Sequence, residues 1–287
     1  MAELLALLSA NPSVFVVLAL MLGLVIGSFL NVVIHRVPRM LEAHWRMECA
    51  AYGMGDAPAS GAAYSLWTPR SACPACGSAI RPWHNIPLAG FAVLRGRCAA
   101  CRAPISWRYP MVEALTGGLF ALLAYHYGAG IAFVGYAAFT AFLIALAFID
   151  ADTHLLPDNL TLPLLWLGLA FNLYTGRVPL EDAVLGAMLG YGLLWSVYWA
   201  FRLATGKEGM GYGDFKLLAA LGAWLGWVQV PLIILLSSVV GAVFGVALIL
   251  MARHGRGQPL PFGPYLAVAG WVALLWGSPF LAWYLHG

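Results

Sequence analysis

Residues 131–152 read IAFVGYAAFTAFLIALAFIDAD, an uncharged run of apolar residues that ends on Asp150 and, one alanine later, Asp152. A helix crossing the ~30 Å hydrocarbon core of a bilayer needs about 20 such residues, and positions 131–149 supply them. The rest of the chain agrees with that reading. Of its 287 residues 62% are hydrophobic and only 9% are charged, whereas a soluble domain carries roughly 25% charged residues. That leaves too little polar surface for a water-soluble fold. The same composition excludes a disordered chain, a coiled coil, collagen and a small disulfide scaffold. An all-α polytopic membrane protein is predicted.

Outward from 131–149, about eight apolar stretches qualify as transmembrane helices: 14–34, 111–127, 131–149, 160–174, 183–201, 215–227, 230–251 and 264–285. The fourth and sixth are short. The first is not read as a cleaved signal, because no basic segment precedes it and Asn31, His35 and Arg36 stand where small residues would mark a cleavage site. One long polar stretch, 35–110, carries nine arginines against Glu42, Glu48 and Asp56. Threading the spans with this loop in the cytoplasm also puts Arg202, Lys207, Lys216, Arg253 and Arg256 inside and leaves only Arg177 outside. Basic residues favour the cytoplasmic side, so the loop is expected there and both termini opposite. The domains expected are a first transmembrane helix (1–34), a cytoplasmic cysteine domain (35–110) and a transmembrane domain (111–287).

Within that loop lie Cys73-Pro-Ala-Cys76 and Cys98-Ala-Ala-Cys101. Each pair sets two thiolates on one tight turn, and two such turns complete a tetrahedron around zinc. Gly77 and Gly96, beside them, suit the turns of a zinc-ribbon-like loop. Disulfides are the plainer alternative, disfavoured in a reducing cytoplasm. Four thiolates leave no open position for water, so the metal, with Cys73, Cys76, Cys98 and Cys101 as ligands, is expected to be structural. Cys49 is read as a small buried residue.

Acids at the ends of apolar spans need a reason, since ionisable groups in or near a bilayer are costly. Asp150 closes the third stretch, in Phe148-Ile149-Asp150-Ala151-Asp152, and Leu156-Pro157-Asp158 follows. Asp214 opens the sixth, in Gly211-Tyr212-Gly213-Asp214-Phe215-Lys216. The charge map puts Asp150 and Asp214 at one edge of the membrane. Two carboxylates within a few ångströms cannot both ionise, so one keeps a proton while the other serves as a base toward water, as an aspartic protease requires. A helix cap or a solvated charge is the plainer reading of any single aspartate. It is the one taken for Asp152 and for Asp158, which sits where a helix N-terminus favours an anion. His154 is read as a solvated loop residue. Glu113, an acid near the start of a span, either serves a site or pairs with a loop arginine.

These motifs together resemble those of the bacterial type 4 prepilin peptidases, over nearly the whole chain. The segments that carry the resemblance are Gly27-Ser28-Phe29-Leu30-Asn31 through Pro38, the two cysteine pairs, Tyr109-Pro110-Met111-Val112-Glu113 through Gly117, Ile149-Asp150 through Asp158, and Gly211-Tyr212-Gly213-Asp214. The resemblance implies an enzyme of the bacterial inner membrane that cuts the leader from type 4 prepilins and type II secretion pseudopilins after a glycine, at the cytoplasmic face. It further implies N-methylation of the new amino terminus from S-adenosylmethionine, associated with the amino-terminal and cysteine-containing part. Asp150 and Asp214 would be the catalytic pair. Protein substrates and membrane lipid are the expected partners, and no nucleic acid. No Gly-x-Gly-x-x-Gly fingerprint points to donor-binding residues. A proton-coupled transporter remains the alternative for paired acids among many spans, although no internal repeat of the kind transporters show is found.

Overall fold

The computed structural model describes residues 8–54, 64–207, 209–250 and 261–286; Asp56, Glu208, Arg253 and Arg256 lie outside them. Among the described residues the elements are helices, and the only strand-like pairing is one isolated bridge beside each cysteine turn. The chain divides into two compact units, Met1–Ala145 and Leu146–Gly287.

In the first unit, α1 (Pro12–Ala51) runs for 40 residues, about 60 Å at 1.5 Å per residue and twice the hydrocarbon core, so one end must stand outside it. The apolar pattern stops at 34, yet the helix continues. Residues 39–51 are rich in strong helix formers (Met40, Leu41, Glu42, Ala43, Arg46, Met47, Glu48), and His44 pairs with Glu48 one turn on at 3.2 Å. Pro38 lies buried inside the helix. After the short α2 (Ala89–Val93), α3 (Arg108–Tyr127) returns antiparallel to α1. Asn31 Nδ2 donates to the Tyr109 carbonyl at 3.1 Å near the start of α3. Further along, a Cβ on Gly23 would lie 2.7 Å from the Thr116 oxygen, and one on Gly27 would lie 2.8 Å from Glu113 Cα. The Gly23–Gly27 spacing therefore lets two backbones touch, which is how helices associate where lipid removes the hydrophobic drive. The first part of α4 (Ile131–Thr153) closes this unit, its Phe133 edge-on to Phe15 at 4.9 Å.

The second unit holds the end of α4, α5 (Asp158–Thr175), α6 (Leu180–Thr205), α7 (Tyr212–Leu225), α8 (Val230–Leu250) and α9 (Gly263–His286). Its centre is α7, which is buried from Asp214 to Trp224 at every position except Lys216. A helix apolar on all sides belongs in an interior. On α6, Gly186 faces the Gly222 carbonyl of α7 so closely that neither residue has room for a side chain, and a Cβ on Gly190 would lie 2.5 Å from the Leu218 oxygen. From α5, Asn172 Nδ2 donates to the Ala223 and Trp224 carbonyls at 2.9 and 3.1 Å, satisfying acceptors that a helix end leaves open. In return, Trp224 Nε1 donates to the Leu164 carbonyl at 2.8 Å.

Every stretch taken as a span is helical over its described residues apart from Gly226 in the sixth, but among the described residues only four helical segments are long and apolar enough to cross a membrane: α1, α4, α6 and Trp227–Ala247, which includes most of α8. The count of about eight spans is not established. The interior helix α7, at 14 residues, is about 21 Å long and falls short of the ~30 Å core.

Candidate functional site

The last turn of α4 and the first turn of α7 bring Asp150 and Asp214 together in the second unit. The two side chains are 5% and 7% exposed, and they are close enough for the charge of one to act on the other. Asp150 Oδ2 accepts a hydrogen bond of 2.8 Å from the backbone N–H of Gly263, at the start of α9. Asp214 Oδ1 is buried without a hydrogen-bond partner among the described residues. A burial of this kind is costly.

Glycines shape the surroundings. A Cβ on Gly213 would lie 2.7 Å from Leu156 Cβ, so only glycine lets the first turn of α7 rest on the loop leaving α4. Gly211, by contrast, is in an extended conformation with open space around it. Gly263 is the residue that sequence reading missed. A Cβ there would lie 2.7 Å from Asp150 Oδ2 and 3.0 Å from Cγ, so its missing side chain and its N–H both serve the carboxylate. Its signal was a glycine between prolines at a helix entry, Pro261-Phe262-Gly263-Pro264.

Of the supporting residues, His154 is exposed and left-handed (φ 53°); its N–H donates to the Asp150 carbonyl at 2.9 Å, ending α4. Asp152 is exposed and lies outside the pair. Asp158 takes its predicted place in the first turn of α5. It has a partner that sequence did not reveal: Lys216 Nζ donates to both its carboxylate oxygens at 2.6 and 2.8 Å. Beside Asp214, Tyr198, Tyr212 and Phe215 form an aromatic cluster with ring centroids 5.3–5.7 Å apart.

In the first unit the thiols of Cys73, Cys76, Cys98 and Cys101 lie within 4.8 Å of one another. Two turns of matching design hold them. Cys73 N–H donates to the Ser78 carbonyl and Cys98 N–H to the Ala103 carbonyl, and antiparallel bridges Ala72–Ala79 and Arg97–Pro104 close each turn. The left-handed residue after the second cysteine is Gly77 in one turn (φ 71°) and Arg102 in the other (φ 63°). Gly96 is also left-handed, before the second turn.

The cluster fits a tetrahedral metal. Zinc–sulfur bonds of about 2.3 Å imply sulfurs about 3.8 Å apart, and Cys73 and Cys101 are separated by 3.8 Å. The backbone N–H groups of Cys101 and Ala100 hold the Cys98 thiol down at about 6, toward the thiolate that binds metal. At Cys101 the Ala103 N–H lowers the pKa, but the Cys76 thiol, burial and the Cys98 and Cys73 thiols push it up to about 11. Four crowded thiols cannot all ionise without a cation among them. Cys49, expected to be buried, is exposed.

Near the start of α3, Glu113 is buried at 9% exposure. Its Oε2 accepts 2.8 Å from the N–H of Leu88 rather than from an arginine. Arg36, also buried, is held elsewhere: it donates to the Ser65 and Pro69 carbonyls at 2.8 and 2.6 Å and pins that loop to α1.

Two family models match the chain, the bacterial peptidase A24 N-terminal domain over residues 21–127 and the type IV leader peptidase family over residues 137–246. Among curated proteins, a prepilin leader peptidase/N-methyltransferase of Aeromonas salmonicida is 55% identical over 287 residues, covering 99% of each chain. The protein of that name from Pseudomonas aeruginosa is 52% identical, over 97% of this chain and 96% of its own. One from Neisseria gonorrhoeae is 50% identical, over 89% and 88%. No solved structure matches.

Proposed function

This chain belongs to the prepilin leader peptidase/N-methyltransferase family, and on that premise we propose that Asp150 and Asp214 are the pair with which it cleaves prepilin leaders. The observation that carries the assignment is the meeting of two nearly buried carboxyl groups from separate helices, one with an oxygen that nothing among the described residues satisfies. The hydrogen bonding divides the work. Asp150, held by an N–H at a helix N-terminus, is the member suited to accept a proton from the attacking water. Asp214, with an unbonded oxygen, faces the scissile carbonyl, polarises it, and then protonates the leaving amine. The aromatic cluster of Tyr198, Tyr212 and Phe215 offers an apolar wall beside that carbonyl. Proton-coupled transport finds no support in a chain so close to prepilin leader peptidases.

Methyl transfer is the second activity of the family, and we assign it to the amino-terminal part, with residues 35–110 as the methyltransferase-associated domain and 111–287 as the peptidase domain. S-adenosylmethionine supplies an electrophilic methyl group when bound; the chain's part is to hold the amine that receives it. Prepilins are the substrates, type II secretion pseudopilins are a second substrate class, and lipid surrounds the spans. Incubating the protein in membranes with a prepilin, with and without the methyl donor, and weighing the product tests the whole reading. Loss of the leader in both samples, and one added methyl group only with donor, is expected. An uncut prepilin would end it.

We further propose zinc at Cys73, Cys76, Cys98 and Cys101, with a structural role. Purified, reduced protein should contain about one zinc per chain, and Cys98→Ser should lose it while leader cleavage survives better than methylation. Metal-free protein with a folded cysteine loop would refute the site.

The setting proposed is the inner membrane, with the cysteine loop and both aspartates at the cytoplasmic face. The support is the fourteen-to-one division of basic residues. A cysteine introduced at Ser65 should resist a membrane-impermeant thiol reagent in intact cells, and one at Thr175 should react. The reverse pattern would invert the map.

A further inference from the structure

One buried acid is left over once the cleavage pair and the cysteines are assigned. Glu113 is 9% exposed, at the start of a helix whose remainder reads as a membrane stretch. Intramembrane acids are kept for a purpose, and a buried carboxylate is expected to have a cation or several donors. Glu113 has one donor among the described residues, the Leu88 N–H on Oε2. Among the described residues no Lys, Arg or His forms an ion pair with it. The fold nevertheless makes room for it. Gly27 is a glycine where any Cβ would strike the Glu113 backbone, and Leu88 is held at φ 56°, a conformation costly for leucine, in the position from which its N–H reaches the carboxylate.

We propose that Glu113 is the receptor for a primary ammonium group in the methyl-transfer reaction. The proposal rests on assigning that reaction to the amino-terminal part. A carboxylate with one oxygen fixed by an N–H and no cation of its own among the described residues lacks one thing, a positively charged donor. Methyl transfer brings two: the α-ammonium of the freshly cut chain and the α-ammonium of the methyl donor's amino-acid moiety. If Glu113 receives the cut chain, it also serves as the base. The ammonium gives a proton to the carboxylate, and the freed nitrogen lone pair forms the N–C bond. The C–S bond breaks with its electrons on sulfur, leaving a neutral thioether, and the methylated ammonium sheds no further charge in the step.

Glu113→Gln isolates the charge, because the amide oxygen still accepts from Leu88 N–H. The variant should keep its zinc content and leader cleavage, and should lose methylation of a pre-cut prepilin by about ten-fold or more. Calorimetry separates the two sources. A fall of that size in affinity for the pre-cut chain identifies the acceptor ammonium, and one in affinity for S-adenosylmethionine identifies the donor's. Ligands tested on the unaltered protein make the result independent of how the variant folds. A prepilin peptide lacking its α-amino group, or a donor analogue lacking its own, should bind about ten-fold more weakly than its parent. Normal methylation by Glu113→Gln, or undiminished binding of both truncated ligands to the unaltered protein, would overturn the proposal. Failure of the unaltered protein to methylate a pre-cut prepilin would instead defeat the assignment of function on which it rests.

Discussion

Asp150→Asn and Asp214→Asn should each reduce prepilin cleavage by roughly 10²–10⁴-fold, to the background of a membrane assay, without removing the protein from the membrane. Asparagine keeps the size of aspartate. At position 150 it can still accept from the Gly263 N–H, so the local fold has no reason to change. It cannot exchange a proton near neutral pH, so the water loses its base or the leaving amine its acid. Because both groups serve one proton-transfer cycle, the double variant should be no worse than either single one. Asp152→Asn and Asp158→Asn should retain most activity. Asp152 is exposed and outside the pair, and Asp158 is occupied by Lys216 in an exposed ion pair, a type worth ~0–1 kcal/mol. Conversion of prepilin by the four variants at matched membrane levels decides the matter. Near-normal cleavage by either of the first two would end the assignment, and complete loss in Asp152→Asn alone would move the first role two residues along.

The proposed pair was legible in the sequence because charge is so scarce in this chain that an acid at the end of an apolar run stands out. The cysteine pairs were legible because metal ligands repeat at a fixed short spacing. Three features were not, each for a physical reason. The continuation of α1 to Ala51 was hidden because polarity was read as loop, whereas helix-forming residues propagate a helix whether or not lipid surrounds it. The interior place of α7 was hidden because an interior helix and a lipid-facing one are equally apolar; its contacts are with α5 and α6, across pairs that sequence does not reveal. Pairings across the unit left no local trace at all. Lys216 and Asp158 are 58 positions apart, and Gly263 and Asp150 are 113 apart. A backbone N–H, moreover, carries no signature of residue type.

The last of these pairings yields the second large effect. Gly263→Ala should lower cleavage by about 10²-fold, although alanine is chemically inert and lies on a different helix from either aspartate. The added Cβ would stand 2.7 Å from Asp150 Oδ2 and within 3.1 Å of its Cγ and Cβ. An aspartate side chain is too short to step aside at its tip alone, so either the whole carboxyl group rotates away from Asp214 or the start of α9 retreats. Both break the hydrogen bond that orients Asp150, and a displacement of about 1 Å in a catalytic group suffices for a loss of 10²-fold. A damaged fold would also abolish cleavage, so the variant must be read against the other activity. Methylation of a pre-cut prepilin, assigned to the amino-terminal part, should persist at close to the unaltered rate in the same membranes. Loss of both activities would mean that Gly263 matters to folding rather than to the geometry of Asp150. Retention of more than half the cleavage rate would mean that α9 does not hold Asp150 in its working position, and the division of roles between Asp150 and Asp214 drawn from that hydrogen bond would fall with it.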